Sequence, residues 1–159
     1  AMGGTAATVA AMNDTARRLD ALDTRAATPS GLDGPGMAMS AYDLAVVSRV
    51  AVREPLVAAT IGLRAVPFPG YGDKPGFTLS TTEKLALRYP GALGSKSGFT
   101  DAARHTLVGV AERGGRRLVV TLMRGEQRPV PMWQQAAALL DWGFAQPAGT
   151  PGIGRLVDG

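Results

Sequence analysis

The chain has 159 residues, 45% of them apolar and 19% charged, which suits one globular domain with a buried core and excludes a wholly disordered, collagenous or coiled-coil protein. With 21 Gly and 11 Pro, its elements should be short and divided by many turns, so a plain helical bundle is not expected. The absence of Cys removes disulfides, thiolate zinc sites and cysteine catalysis, and a single His, His105, gives no basis for a histidine metal site or a Ser-His-Asp triad. Nucleophilic chemistry would have to pair Ser or Thr with Lys.

The longest apolar runs, such as Leu118 to Met123, fall far short of the roughly 20 residues that cross a bilayer, and no basic-then-apolar leader opens the chain, so it reads as soluble. The net charge of +4 is carried mainly by arginines, with a knot at Arg113, Arg116 and Arg117 around Gly114-Gly115. Gly-Gly supplies the positive φ angles of a two-residue hairpin turn, and the knot reads as its solvated tip. It lacks the interleaved aromatics of a nucleic-acid surface, so no nucleic-acid partner is expected.

In chain order, Val9, Met12, Ala16 and Leu19 recur at helical spacing between Thr5 and Leu22, with Asn13, Arg17, Arg18 and Asp20 on the other face. Residues Thr28 to Gly36 are too rich in Pro and Gly for helix or strand. Ser40-Ala41-Tyr42-Asp43 resembles a capping box and opens a second helix over Ala41 to Arg53, stopped by Pro55. Pro67 to Gly76 reads as an irregular loop, and Thr81 to Arg88 as a short helix ending before Pro90. Three strands follow, Leu93 to Thr100, Arg104 to Glu112 and Arg116 to Arg124, joined by connections short enough to make them antiparallel neighbours. The continuous apolar run of the third predicts a strand covered on both faces. A closing helix over Met132 to Phe144, carrying Trp133, Ala136, Ala137, Leu140 and Phe144 inward, should pack on the sheet, and Gln146 to Gly159 reads as a flexible tail.

The chemically most specific segment is Gly94-Ser95-Lys96-Ser97-Gly98-Phe99-Thr100. A cation and a hydroxyl side by side on a strand, followed by a residue without Cβ, let a ligand backbone lie close. The cation attracts a carboxylate, the hydroxyl donates to it, and the N-H after the Gly can point at a carbonyl oxygen. Lys-Ser-Gly-Phe-Thr with its following hairpin resembles the Lys-Thr-Gly strand of the serine D-alanyl-D-alanine carboxypeptidases, the low-molecular-mass penicillin-binding proteins. Thr28-Pro29-Ser30-Gly31-Leu32-Asp33, Ser40 to Ala45, Tyr89-Pro90-Gly91 and Leu140 to Phe144 extend the resemblance in family order, nearly to the end of the chain.

Two family motifs have no match. The nucleophile lies in Ser-x-x-Lys, yet the residues three places after Ser30, Ser40, Ser48, Ser80, Ser95 and Ser97 are Asp33, Asp43, Ala51, Glu83, Gly98 and Thr100. Thr81-Thr82-Glu83-Lys84 copies the spacing with a Thr but reads as a helix start. The family's Ser-x-Asn is also missing, since Ala11 stands two places before Asn13. The resemblance therefore implies the C-terminal part of one DD-peptidase domain over residues 1–145, mainly helical and loop over 1–90, then a three-stranded meander and closing helix over 91–145. The fold implied is the α/β penicillin-binding protein and β-lactamase-like type, an antiparallel sheet flanked by helices and incomplete at its N-terminus.

By resemblance, Lys96 is the catalytic cation, Ser97 binds the substrate's terminal carboxylate, Gly98 clears space and Phe99 N-H forms one side of the oxyanion hole. Arg104 and Arg128 are further candidates for the carboxylate, though both read as surface residues. Ser30 to Asp33 reads as a turn-fixed loop, His105 as structural, and Trp133 and Trp142 as core. The implied activity is D-alanyl-D-alanine carboxypeptidase action on peptidoglycan stem peptides through an acyl-serine, sensitive to β-lactams, in the extracytoplasmic cell envelope and without cofactor or metal. The rivals are a non-catalytic wall-binding or regulatory module and a class A β-lactamase-like hydrolase, the latter lacking a Glu-x-x-Leu-Asn setting at Glu54, Glu83, Glu112 or Glu126. Family strands that would pair beside Arg116 to Arg124 have no counterpart here, so association through that exposed edge is also expected.

Overall fold

The computed structural model describes residues 3–152. Helix α1 (Thr5–Arg18) ends a turn earlier than its apolar spacing predicts, because Asp20 enters the left-handed region at φ 54°. Loop 19–40 is drawn together by an antiparallel bridge between Arg25 and Ala38. Helix α2 (Ala41–Ala51) starts where expected, with Ser40 Oγ accepting from Asp43 N-H at 3.1 Å. Pro55, expected only as a stop, also opens α3 (Pro55–Ile61), since its missing N-H would be unpaired in a first turn anyway.

The stretch expected as one irregular loop is framed by a hairpin, β1 (Ala65–Phe68) against β2 (Phe77–Ser80), with Phe68 and Phe77 paired across it at 5.1 Å. Pro67 is tolerated in a two-stranded ribbon whose strands are both edges. Helix α4 (Lys84–Arg88) is shorter than predicted and seats the fully buried Leu85 on the sheet.

That sheet is the antiparallel meander β3 (Ala92–Thr100), β4 (Arg104–Arg113) and β5 (Arg116–Gly125), in the order β3-β4-β5. Gly114 and Gly115 both take positive φ, 56° and 74°, at the predicted tight turn. Helix α5 (Met132–Ala145) and α4 cover one face, where Leu85, Tyr89, Leu107, Ala111, Val120, Met132, Ala136 and Leu140 form the core. Gly109 belongs to this face, and a Cβ there would lie 2.2 Å from Leu85 Cδ2.

Helix α2 covers the other face, where Val46 and Val110 are buried and Thr121 Oγ1 donates to the Ala41 carbonyl at 2.9 Å. Strand β5 is thus covered on both faces, as its unbroken apolar run predicts, while its outer edge has no strand partner among the described residues. The Gly114-Gly115 tip and Arg117, paired with Glu112, are exposed as expected, whereas Arg113 and Arg116 depart from the solvated reading. Arg113 stacks on Tyr89 and Phe144 and bonds Asp141 at 3.0 Å, and Arg116 donates to the Gln146 carbonyl. Trp133 packs against the core, but Trp142, expected inside, is 67% exposed because its position on α5 turns away from the sheet. Of the tail read as flexible, residues 153–159 lie outside the described ones; Thr150 N-H closes a turn onto Pro147 before them.

Candidate substrate-binding edge

Strand β3 is an edge of the meander, so alternate backbone N-H groups point away from β4. Ser97 N-H is one of these, since it donates to Glu83 Oε1 at 2.9 Å. The register is unbroken from Gly94 to Thr100, which places Phe99 N-H, two residues on, along the same open edge.

Side chains alternate in the other sense. Ser95 and Ser97, opposite Gly109 and Leu107, sit on the α4 face; Lys96 and Gly98, opposite Val108 and Thr106, sit on the α2 face. Lys96 is exposed and its Nζ donates to the Ser97 carbonyl. A Cβ on Gly98 would lie 3.0 Å from Thr106 Oγ1, a tight contact, and its absence leaves the strand surface there clear. The sequence candidates Lys96, Ser97, Gly98 and Phe99 are therefore presented together on one solvent-facing edge, with cation and hydroxyl on opposite sides of the strand.

Beyond Gly98 the strand borders a cleft of about 940 Å³ between the sheet, α1 and loop 24–39, lined by Met12, Leu32, Met37, Phe99, Arg104 and Met123 among others. The Phe99 ring packs on His105 at 4.5 Å and lies under the Arg104 guanidinium at 5.6 Å. Arg104, at φ 57°, turns its side chain to Glu126, with contacts of 3.2 and 3.3 Å. Hydrogen bonding and charge from Arg104 hold the Glu126 carboxyl below the usual carboxylate range, and Glu126 raises Arg104 in return. Arg128 is exposed beyond β5. The Ser30 to Asp33 loop is fixed by Thr28 Oγ1 donating to the Leu32 carbonyl at 2.7 Å.

Two residues at this edge escape a linear reading. Asp33 accepts from Thr100 Oγ1 at 2.8 Å, clamping the loop to the end of β3. Glu83, just before α4, accepts from Ser97 Oγ at 2.7 Å as well as from Ser97 N-H, and from Ser95 Oγ at 3.3 Å. The only local hint was the alternation Ser95, Ser97, which puts two hydroxyls on one face. Among the described residues no group of His, Asp and Glu is arranged to hold a metal ion, and no helix is long and apolar enough to cross a membrane.

The D-alanyl-D-alanine carboxypeptidase family model matches residues 1–127. D-alanyl-D-alanine carboxypeptidase DacB2 of Mycobacterium tuberculosis is 47% identical over 148 residues, covering 91% of this chain and 50% of that protein. DacF of Bacillus subtilis, a D-alanyl-D-alanine carboxypeptidase, is 30% identical over 135 residues, 85% of this chain and 34% of the relative. The chain thus spans half or less of the length of these relatives. A crystal structure of the D-alanyl-D-alanine carboxypeptidase from M. tuberculosis superposes with TM-score 0.84 at 45% identity, over 93% of this chain and 57% of that one. The Streptomyces K15 DD-transpeptidase, at 23% identity and TM-score 0.76 over 88% of this chain and 55% of that one, shares the fold. With four-fifths of its length inside the family model and a sheet flanked by helices that superposes on such enzymes, the chain belongs to the D-alanyl-D-alanine carboxypeptidase family.

Proposed function

We propose that residues 1–145 form the C-terminal part of a DD-peptidase domain, and that the whole domain removes the terminal D-alanine from peptidoglycan stem peptides through an acyl-serine that β-lactams trap. The observation that carries this reading is the open edge of β3, which presents a cation, a hydroxyl, a cleared strand surface and an outward N-H in consecutive residues.

Lys96 supplies positive potential for the developing oxyanion and the substrate carboxylate, and Ser97 donates to that carboxylate. Gly98 lets the peptide backbone approach, and Phe99 N-H forms one wall of the oxyanion hole. The nucleophilic Ser and the second wall come from outside this chain, since no Ser here is followed three places later by Lys. The same parentage supports action in the extracytoplasmic envelope, and the outer edge of β5, without a strand partner among the described residues, supports association there, with the rest of the domain as its natural partner.

The test is kcat/KM of the complete protein on a D-Ala-D-Ala peptide and on the same peptide amidated at its C-terminus. Lys96→Ala should lower acylation by more than two orders of magnitude, equivalent to about 3 kcal/mol or more. Ser97→Ala should cost roughly 1.5 to 3 kcal/mol on the free acid and less on the amide. An unaffected Lys96→Ala enzyme would remove β3 from the active site.

A further inference from the structure

The Glu83 carboxylate stands where the site needs an empty donor pair. Its Oε1 takes both the Ser97 hydroxyl proton, at 2.7 Å, and the Ser97 N-H, at 2.9 Å. A serine hydroxyl has a single proton, so while it is given to Glu83 it cannot be given to a ligand. A second carboxylate arriving at Ser97 would also meet the first at contact distance, where like charges repel.

The clasp is built from fixed backbone and a movable tip. Leu85, two residues after Glu83, is fully buried, and Glu83 N-H is held by Thr81 Oγ1 at 3.2 Å, so the Glu83 main chain is anchored beside β3. Ser95, which holds Oε2 at 3.3 Å, is only 2% exposed, whereas Ser97 is exposed. The carboxylate therefore bridges the buried interior of the strand and its open rim, and its hold on Ser97 runs through the Glu83 side chain and not through the α4 backbone.

We propose that Glu83 is an internal competitor for the carboxylate subsite at Ser97: it caps the Ser97 donors in the free protein and must be displaced by the terminal carboxylate of an incoming peptide. It thereby sets a threshold against weakly held anions and makes a peptide carboxylate depend on its neighbouring contacts to bind. This rests on the reading of Ser97 as the carboxylate donor.

The test is a titration of the isotopically labelled complete protein, its nucleophilic serine replaced by alanine, with N-acetyl-D-Ala-D-Ala and with its C-terminal amide, following the Ser95, Ser97 and Phe99 backbone amide resonances at fixed pH. Three proteins are compared in that background: the otherwise unaltered chain, Glu83→Gln, which keeps the acceptor and loses the charge, and Glu83→Ala, which frees both donors. The expected result is an apparent Kd for the free acid that falls at least tenfold from the unaltered chain to Glu83→Ala, with Glu83→Gln between them, and no such gain for the amide. A structural role for Glu83 would not produce that acid-against-amide difference. Equal Kd values for the acid in all three proteins would overturn the competitor role while leaving the subsite in place. Absence of any acid-dependent shift at Ser97 and Phe99 in Glu83→Ala would overturn the subsite reading itself, and this inference with it. If Glu83→Ala loses its resolved spectrum, Glu83→Gln decides: an acid affinity no tighter than that of the unaltered chain rejects the proposal.

Discussion

The side-chain amide of Asn13 pairs with the backbone of Ala26 at two points, accepting from its N-H at 2.8 Å and donating to its carbonyl at 2.9 Å. Helical spacing puts Asn13 on the polar face of α1, but that face meets the loop that carries Asp33 to Thr100. Asn13 is thus the pin that holds one wall of the cleft. Asn13→Ala should leave both Ala26 groups without a protein partner and cost about 1 to 3 kcal/mol in chemical denaturation. Asn13→Asp keeps the acceptor and should lose less. Equal stability of all three proteins would show that the loop is held elsewhere.

Gly109 is a packing glycine. A methyl group there would sit 2.2 Å from Leu85 Cδ2 and 3.3 Å from Val120 Cγ1, and Leu85 is fully enclosed. Gly109→Ala should destabilise the chain by roughly 1 to 3 kcal/mol through overpacking. Because Glu83 lies two residues before Leu85, the Ser97 amide resonance should move as well. A Tm within a degree of the original would mean that α4 slides without strain.

Tyr89 donates its hydroxyl to Asp141 at 2.8 Å beneath the Arg113 guanidinium. Burial first, and the Asp141 hydrogen bond second, push the Tyr89 hydroxyl from 10.0 up to about 12. The folded state then holds this proton more tightly than the unfolded chain does. The resulting stability is complete below pH 10 and is lost as pH rises through 12, a linkage of order 2 kcal/mol. Urea midpoints measured from pH 8 to pH 12 should fall more steeply for the unaltered chain than for Tyr89→Phe. Parallel curves would assign the alkaline loss to other groups.

Incubation of the chain with benzylpenicillin should produce no covalent adduct, since no Ser has a Lys three places after it. Intact-mass spectrometry reads this directly. A gain of one penicillin, mapped to a Ser or Thr of this chain, would place a nucleophile within it and undo the division of the site proposed above.

What the sequence determined by itself is local. Ser40 caps α2 because its hydroxyl reaches an N-H three residues on, and Gly114-Gly115 closes β4 onto β5 because both residues accept positive φ. The three strands and α5 were legible from their spacing, and the order Lys96, Ser97, Gly98, Phe99 on one strand fixes which of them share a face. Only the tertiary structure decided the contacts between segments that no spacing rule connects. Glu83 reaches Ser97 because Leu85 needs burial over Gly109, and Asp33 reaches Thr100 because Asn13 gathers the loop. The β1-β2 ribbon was hidden because its strands are four residues each and largely exposed: β1 contains Pro67, and the alternation Phe77-Thr78-Leu79-Ser80 is too short to stand out beside the Pro- and Gly-rich loop before it. Trp142 is exposed although its spacing looks helical and apolar, because α5 has only one sheet face to cover and Leu140 and Ala136 already occupy it. Periodicity states which residues can be buried together, and the shape of the partner surface decides which of them are.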